Sequence, residues 1–263
     1  MNRIDRAFGR LAREGRTAFI AYITAGDPDL ATTAKLVPAL EEAGVDIIEL
    51  GIPFSDPLAD GPVIQAASHR SLLKGTTLAK VFTLVERLRR KTAVPIVFMT
   101  YYNPVLAYGI AKFMKRCRAA GVDGVIIPDL PYEEAREVLA LGRRERIATI
   151  FLAAPTSTRE RLGRIAWHST GFIYYVSLTG VTGARKTLPQ DVVSHVRLLK
   201  RLSDKPVAVG FGISNAEQAR AMAKVADGVI VGSAIVKIAG QGSRAVQKAK
   251  RFAKKIADAV HGV

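Results

Sequence analysis

The sequence predicts an α/β fold: a (β/α)8 TIM barrel made by one domain over residues 1–263, with an extra helix before the first strand and a short extra helix after the eighth. Three observations predict it. Eight short runs of mostly consecutive apolar residues alternate with longer amphipathic stretches, as in strands buried on both faces of a helix-covered parallel sheet. The joins from helix to strand repeat: Ala43-Gly-Val-Asp46, Ala120-Gly-Val-Asp123 and, more loosely, Val225-Ala-Asp-Gly-Val229. No linker, low-complexity tract or composition break divides the 263 residues, and a barrel uses about 250 residues as a single domain.

The first amphipathic stretch, 4–14, lies ahead of every strand and reads as a helix outside the repeat. Strands are expected at 18–24, 46–50, 95–100, 124–128, 148–152, 172–177, 206–210 and 228–231. Between them come helices at 30–43, with Leu36, Val37, Leu40 and Ala43 on one side, and at 78–90, with Val81, Leu84, Val85 and Leu88. Others follow at 110–120, 133–141, 158–167, 191–202 and 215–225. The last, 243–260, sets Val246, Ala249, Phe252, Ala253 and Ile256 along one face, the period of a helix lying on a core. Gly44 and Gly121 suit the left-handed position just past a helix C-terminus. The joins from strand to helix are longer, at 25–29, 51–62, 101–109, 130–132, 153–157, 178–190 and 211–215. In parallel α/β folds these loops lie at the carboxyl ends of the strands, where sites are built.

Composition narrows the class. One cysteine, Cys117, rules out a disulfide framework or a CxxC metal site. No run approaches the roughly 18 apolar residues of a membrane span, and the opening residues lack the apolar stretch of a secretory leader. A soluble, cytoplasmic protein is expected. The net charge of +16 raises the question of a nucleic-acid partner. The basic residues, however, fall in separate groups, such as Arg87/Arg89/Arg90/Lys91 and Lys248/Lys250/Arg251, each on its own amphipathic helix. No aromatic residues interleave with them, as a nucleic-acid groove would want. Solvated outer helix faces are the reading adopted.

The chemistry concentrates after the second strand, in Glu49-Leu-Gly-Ile-Pro-Phe-Ser-Asp-Pro-Leu-Ala-Asp60-Gly-Pro62. If Ile48 and Leu50 face the helices, Asp46 is two strand residues from the inward layer and Glu49 points into the barrel mouth. A carboxylate among isoleucines has a raised pKa, which suits proton transfer near neutrality; the alternative is a glutamate paired with a cation at the rim. Asp60 lies in a loop stiffened by Pro53, Pro57 and Pro62. It reads either as a second site carboxylate or as the N-cap of a helix starting at Pro62.

Glycines supply a further signal. Gly210-Phe-Gly212 follows strand seven and Gly232-Ser233 follows strand eight, where barrel enzymes bind phosphate through backbone N–H groups at a helix start. Val181-Thr-Gly183-Ala-Arg185 sits in a long loop that reads as a lid. No metal-spaced His/Cys cluster, GxxxxGK[ST] or HExxH occurs. His69, His168, His195 and His261 fall in or beside helices and read as surface or interface residues. No lysine lies in a strand run, so a barrel mouth without lysine is expected and an imine mechanism is set aside. The loose glycine fingerprint at 240–245 follows no strand and is read as chance.

Together these residues resemble the tryptophan synthase alpha subunit family over nearly the whole chain. The resemblance rests on Tyr22-Ile-Thr-Ala-Gly-Asp-Pro28, the stretch from Glu49 to Gln65, Tyr101-Tyr-Asn-Pro104, Pro128-Asp-Leu-Pro131, Thr179-Gly-Val-Thr-Gly-Ala-Arg185, Gly210-Phe-Gly-Ile-Ser214 and Gly232-Ser-Ala-Ile-Val-Lys-Ile238. It implies cleavage of indole-3-glycerol phosphate to indole and glyceraldehyde 3-phosphate. By resemblance Glu49 is the acid/base, Asp60 holds the ring N–H, and Tyr174 supports the carboxylates. Ile64, Tyr101, Ile126 and Phe211 then line the indole pocket, while Gly183, Gly212, Gly232 and Ser233 hold the phosphate. Thr182 closes onto Asp60. The resemblance also implies a beta subunit partner in an alpha2-beta2 heterotetramer, with Asp56, the Tyr102-Asn-Pro104 loop and Pro131 near the interface. Pyridoxal phosphate would sit on that partner, and this chain would carry no cofactor or metal. Two alternatives stand beside it: a stand-alone lyase releasing free indole, and a non-enzymatic basic barrel binding nucleic acid.

Overall fold

The computed structural model describes residues 2–176, 190–210, 212–242 and 244–263. Its strands are all parallel, in the order β5-β4-β3-β2-β1-β9-β8-β7-β6. They are β1 (Ala18–Thr24), β2 (Ile47–Gly51), β3 (Ile96–Met99), β4 (Gly124–Ile126), β5 (Ala148–Ile150), β6 (Leu152–Ala153), β7 (Ile173–Val176), β8 (Val207–Gly210) and β9 (Gly228–Val231). The two ends of that order, β5 and β6, are consecutive in the chain and separated by Phe151 alone. They are the two halves of the expected fifth strand: β5 pairs with β4 and β6 with β7. The ring therefore closes as the eightfold barrel that the alternation predicted.

Twelve helices accompany the strands among the described residues. Most fall where the apolar period placed them, including α1 (Arg3–Arg13), α2 (Leu30–Glu42), α4 (Leu78–Leu88), α6 (Ile110–Ala120), α9 (Gln190–Leu202), α10 (Ala216–Ala223) and α12 (Ala245–His261). Three regions differ from expectation. Residues 62–73 form α3 (Pro62–Leu73), and the expected loop 101–109 contains α5 (Tyr102–Tyr108). Neither carries a broad apolar stripe, so periodicity did not reveal them. The helix expected at 133–141 is α7 (Arg136–Glu145), displaced toward the C-terminus by a turn at 131–135. The remaining two are α8 (Arg159–His168) and the short α11 (Ser233–Ala239) after β9.

Apolar burial comes in two shells. An outer shell lies between strands and helices and takes in Ile48, Leu50, Phe98, Val125, Val209 and Val229. An inner shell fills the barrel: Ile20, Ile47, Val97, Ile126, Ile150, Tyr174, Ala208 and Ile230, each from a different strand. The strand period of two divides the shells, so alternate residues of β2 face opposite ways. Helix α1 plugs the N-terminal end with Ile4, Phe8 and Leu11, and Phe8 meets Phe172 at 5.7 Å between ring centroids. Its start is fixed by a capping box between Asn2 and Asp5.

The repeated aspartates have a common structural use. Asp46 precedes β2 at the N-terminal face. There its backbone N–H donates to the Phe19 carbonyl and its Oδ2 accepts from the Phe19 N–H at 2.9 Å. Asp123 makes the same two-point clasp on Ile96 and Asp227 on Val207, each carboxylate accepting at 2.9 Å. Further side chains close the clasps: Arg10 and the His261 ring on Asp46, Arg3 and Arg89 on Asp123, and Lys200 on Asp227. His261 is therefore a partly buried structural residue and not a surface one. Gly44 and Gly121 take φ of +98° and +86° just past α2 and α6, a conformation that favours glycine.

Candidate active site

The inner shell ends one layer below the mouth, and a cavity of about 350 Å³ opens above it. Glu49 reaches this cavity because Ile47 turns inward and Ile48 and Leu50 turn outward. In the β1–β2 register it stands opposite Tyr22, which lines the same cavity. Only 1% of Glu49 is exposed, and neither carboxyl oxygen has a hydrogen-bond partner among the described residues. Burial, then the neighbouring charge of Asp60, pushes its pKa up to about 8.

Asp60 enters from the loop between β2 and α3. The N-cap reading does not hold for its side chain: Gly61 is the cap residue and Pro62 begins α3. The Asp60 carboxyl instead lines the cavity. Its loop is held by the Asp60 N–H donating to the Pro57 carbonyl at 3.0 Å and by the Ala59 N–H donating to the Tyr101 hydroxyl at 2.9 Å. Burial lifts the Asp60 pKa to about 6, with Tyr101 opposing the rise. Tyr101, packed against Phe54 in a tilted pair at 5.3 Å between centroids, is itself pushed up by burial and by Asp60.

Two tyrosines need two glycines. A Cβ on Gly51 would sit 2.2 Å from the Tyr22 hydroxyl, and one on Gly210 would sit 2.5 Å from the Tyr174 hydroxyl. Both distances are far inside contact, so the strand ends must lack side chains for the phenols to reach the mouth. Burial, reinforced by the carboxylates, keeps both phenols protonated well above their ordinary range. On the opposite side Gly212 takes φ of +76°. Gly232 caps α11, and a Cβ there would come within 3.3 Å of Tyr22. Ser214 and Ser233 complete that side.

Of the residues singled out from sequence, Glu49, Asp60, Ile64, Tyr174, Gly212, Gly232 and Ser233 line one cavity. Tyr101 stands directly behind Asp60 through its contact to Ala59. Ile126 is fully buried in the inner shell and is not among the cavity's lining residues. Thr182, Gly183 and Phe211, with the 178–189 stretch of the lid expectation, lie outside the described residues. Sequence reasoning missed Tyr22, Met99, Ser214 and Lys237, all of which line the cavity. Tyr22 could have been found as the inward residue two after Ile20. Lys237 corrects the expectation of a mouth without lysine, since it arrives from α11 and not from a strand. Asp56 and Asn103 are exposed, Tyr102 and Pro131 are half-buried, and Leu58 between them in the mouth loops is 94% exposed.

Comparison with known proteins gives a consistent result. A family model described as tryptophan synthase alpha chain matches residues 8–261. A protein of that name from Geotalea daltonii is 53% identical over 237 residues, 90% of each chain. Another from Caldanaerobacter subterraneus is 53% identical over 242 residues, 92% of each chain. Among solved structures, tryptophan synthase subunit alpha from Legionella pneumophila matches with a TM-score of 0.92 at 35% identity, covering 100% of both chains. A chain of Mycobacterium tuberculosis tryptophan synthase matches at 0.91 and 39% identity, covering 99% of this chain and 98% of its own.

Proposed function

The chain belongs to the tryptophan synthase alpha chain family, a lyase subunit, and from that premise we propose how its cavity cleaves indole-3-glycerol phosphate to indole and glyceraldehyde 3-phosphate. The observation that carries the assignment of roles is the separation of two carboxylates by their surroundings, Glu49 near 8 and Asp60 near 6. Carboxyls pushed apart in this way can hold opposite protonation states at one pH. At neutral pH Glu49 carries a proton and Asp60 is an anion.

The chemistry follows. Glu49 gives its proton to C3 of the indole ring, which leaves positive charge on the ring nitrogen. Asp60 accepts a hydrogen bond from that N–H and stabilises the cation. The Glu49 carboxylate then takes the proton of the hydroxyl on the carbon bonded to C3. As that hydroxyl becomes an aldehyde carbonyl, the carbon–carbon bond breaks and its electron pair restores the aromatic ring. Glu49 ends protonated, as it began. Tyr174 limits how the carboxylates can move, Ile64 and Tyr101 flank the ring, and Gly212, Gly232 and Ser233 face the phosphate. Free-enzyme kcat/KM should then rise through about pH 6 and fall through about pH 8.

Further proposals rest on family membership. A beta subunit is the partner, in an alpha2-beta2 assembly whose pyridoxal phosphate lies on the beta chain, and the chain acts in the cytoplasm as one domain over residues 1–263. Among the described residues no helix is long and apolar enough to cross a membrane. The test is indole formation from indole-3-glycerol phosphate, with and without a beta subunit. Cleavage that accelerates with the partner is expected. Equal rates in both conditions would favour the stand-alone lyase, and no indole in either would overturn the reading. Asp60→Asn should lower kcat/KM by about 100- to 1000-fold, the usual effect of losing one group that stabilises transition-state charge. A wild-type value for that variant would remove Asp60 from the mechanism.

A further inference from the structure

The cavity is electrically one-sided. Three of its lining residues are titratable acids or bases, Glu49, Asp60 and Lys237, and with Glu49 protonated the anion among them is Asp60. The two carboxylates come from β2 and the loop that follows it. Lys237 comes from α11, four residues after Ser233, and residues four apart share a helix face. The lysines paired with carboxylates among the described residues are Lys200, Lys250 and Lys254. Lys237 is exposed and pairs with no carboxylate among the described residues.

The order of groups matches a substrate that is apolar at one end and doubly charged at the other. A phosphate placed toward Asp60 would face like charge. Placed toward α11 it meets Gly232, the Ser233 and Ser214 hydroxyls and one ammonium. Backbone N–H groups and hydroxyls satisfy oxygen atoms but leave the net charge unmatched, and an ammonium supplies that charge.

Resting on the reading of the cavity as the indole-3-glycerol phosphate site, we propose that Lys237 is a substrate-binding residue: its ammonium takes the phosphate of the triose half and sets the direction in which the substrate lies. Glyceraldehyde 3-phosphate is held by the same contact after cleavage, and indole is not.

The test uses the full chain with Lys237→Met and Lys237→Arg. Calorimetric titration with glycerol 3-phosphate, the substrate's charged fragment, should show about tenfold weaker binding for Lys237→Met, the scale of a lost charge-assisted hydrogen bond. Lys237→Arg should recover most of it. Added salt should weaken wild type more than Lys237→Met. In the reverse condensation with indole, the preference for glyceraldehyde 3-phosphate over unphosphorylated glyceraldehyde should fall about tenfold, while KM for indole stays within about twofold. Equal glycerol 3-phosphate affinity in wild type and Lys237→Met overturns the proposal, even if both make indole. A wild type that makes no indole but loses glycerol 3-phosphate affinity in Lys237→Met upholds the anion contact and overturns the function.

Discussion

Glu49→Gln is expected to be close to inactive and, above neutral pH, more stable than the wild type. Glutamine copies the shape of the protonated acid and cannot exchange its proton, so it removes both transfers assigned to Glu49. General acid–base groups contribute about 100- to 10,000-fold, and a residue used twice in one turnover should sit at the upper end. The stability change has the opposite sign. Unfolded glutamate ionises near 4.3, whereas Glu49 in the folded chain holds its proton to about 8. Between those values the native state binds a proton that the unfolded state releases. Stability is therefore lost as pH rises through that window. The variant lacks this loss and should exceed wild type by on the order of a few kcal/mol at pH 8, with the gap closing toward pH 4. Urea titrations at both pH values, beside indole assays, measure the pair of effects. A Glu49→Gln protein that is active, or that is less stable than wild type at pH 8, contradicts the assignment.

Asp123→Ala is expected to be the most damaging single change at the other end of the barrel. The Asp123 carboxylate is 3% exposed and accepts from the Ile96 N–H at 2.9 Å, from Arg89 at 2.8 Å and from Arg3 at 3.0 Å. Arg89 has only 11% of its side chain exposed, and burial already brings its pKa down to about 10. Removing the carboxylate strands that buried cation and orphans a backbone donor. Breaking one side of a buried ion pair costs about 3–5 kcal/mol. Urea unfolding should report a loss of that size, with KM values for the folded fraction unchanged because the site lies at the opposite face. A loss under about 1 kcal/mol would mean that the pairing carries little.

The barrel was legible because its signals are local. Apolar runs and the Gly-Val-Asp joins place strands to within a residue or two, as at β2, where expected 46–50 became Ile47–Gly51. Glu49 was legible for the same reason, since alternation about Ile48 and Leu50 needs no distant information. Asp60 was not decided by spacing, because its two readings differ only in where the side chain points. Helices α3 and α5 left no apolar period because their burial is narrow: only Ala67, Ser68 and Ser71 are buried in the first, whose start at Pro62 is one of two readings of the loop, and Val105 in the second. Ile126 enters through the resemblance alone; it packs in the inner shell, in register with Met99, which lines the cavity. Lys237 was missed because the search for mouth cations stopped at strand ends, whereas a helix that begins at the mouth can return a side chain to it.

The three aspartate clasps bear on how the chain acquires this fold. Each fastens the start of one strand to the next unit along the chain: Phe19 to Asp46, Ile96 to Asp123 and Val207 to Asp227. These are short loops to close, and contacts of low sequence separation form early. The β1–β9 pairing, by contrast, joins residues near opposite ends of the chain and must await nearly the whole of it. Adjacent βα units are thus latched before the ring shuts. Native-state hydrogen exchange should then find the amides of Phe19, Ile96 and Val207 opening with their own units, so that the barrel comes apart as latched segments, not as eight independent strands.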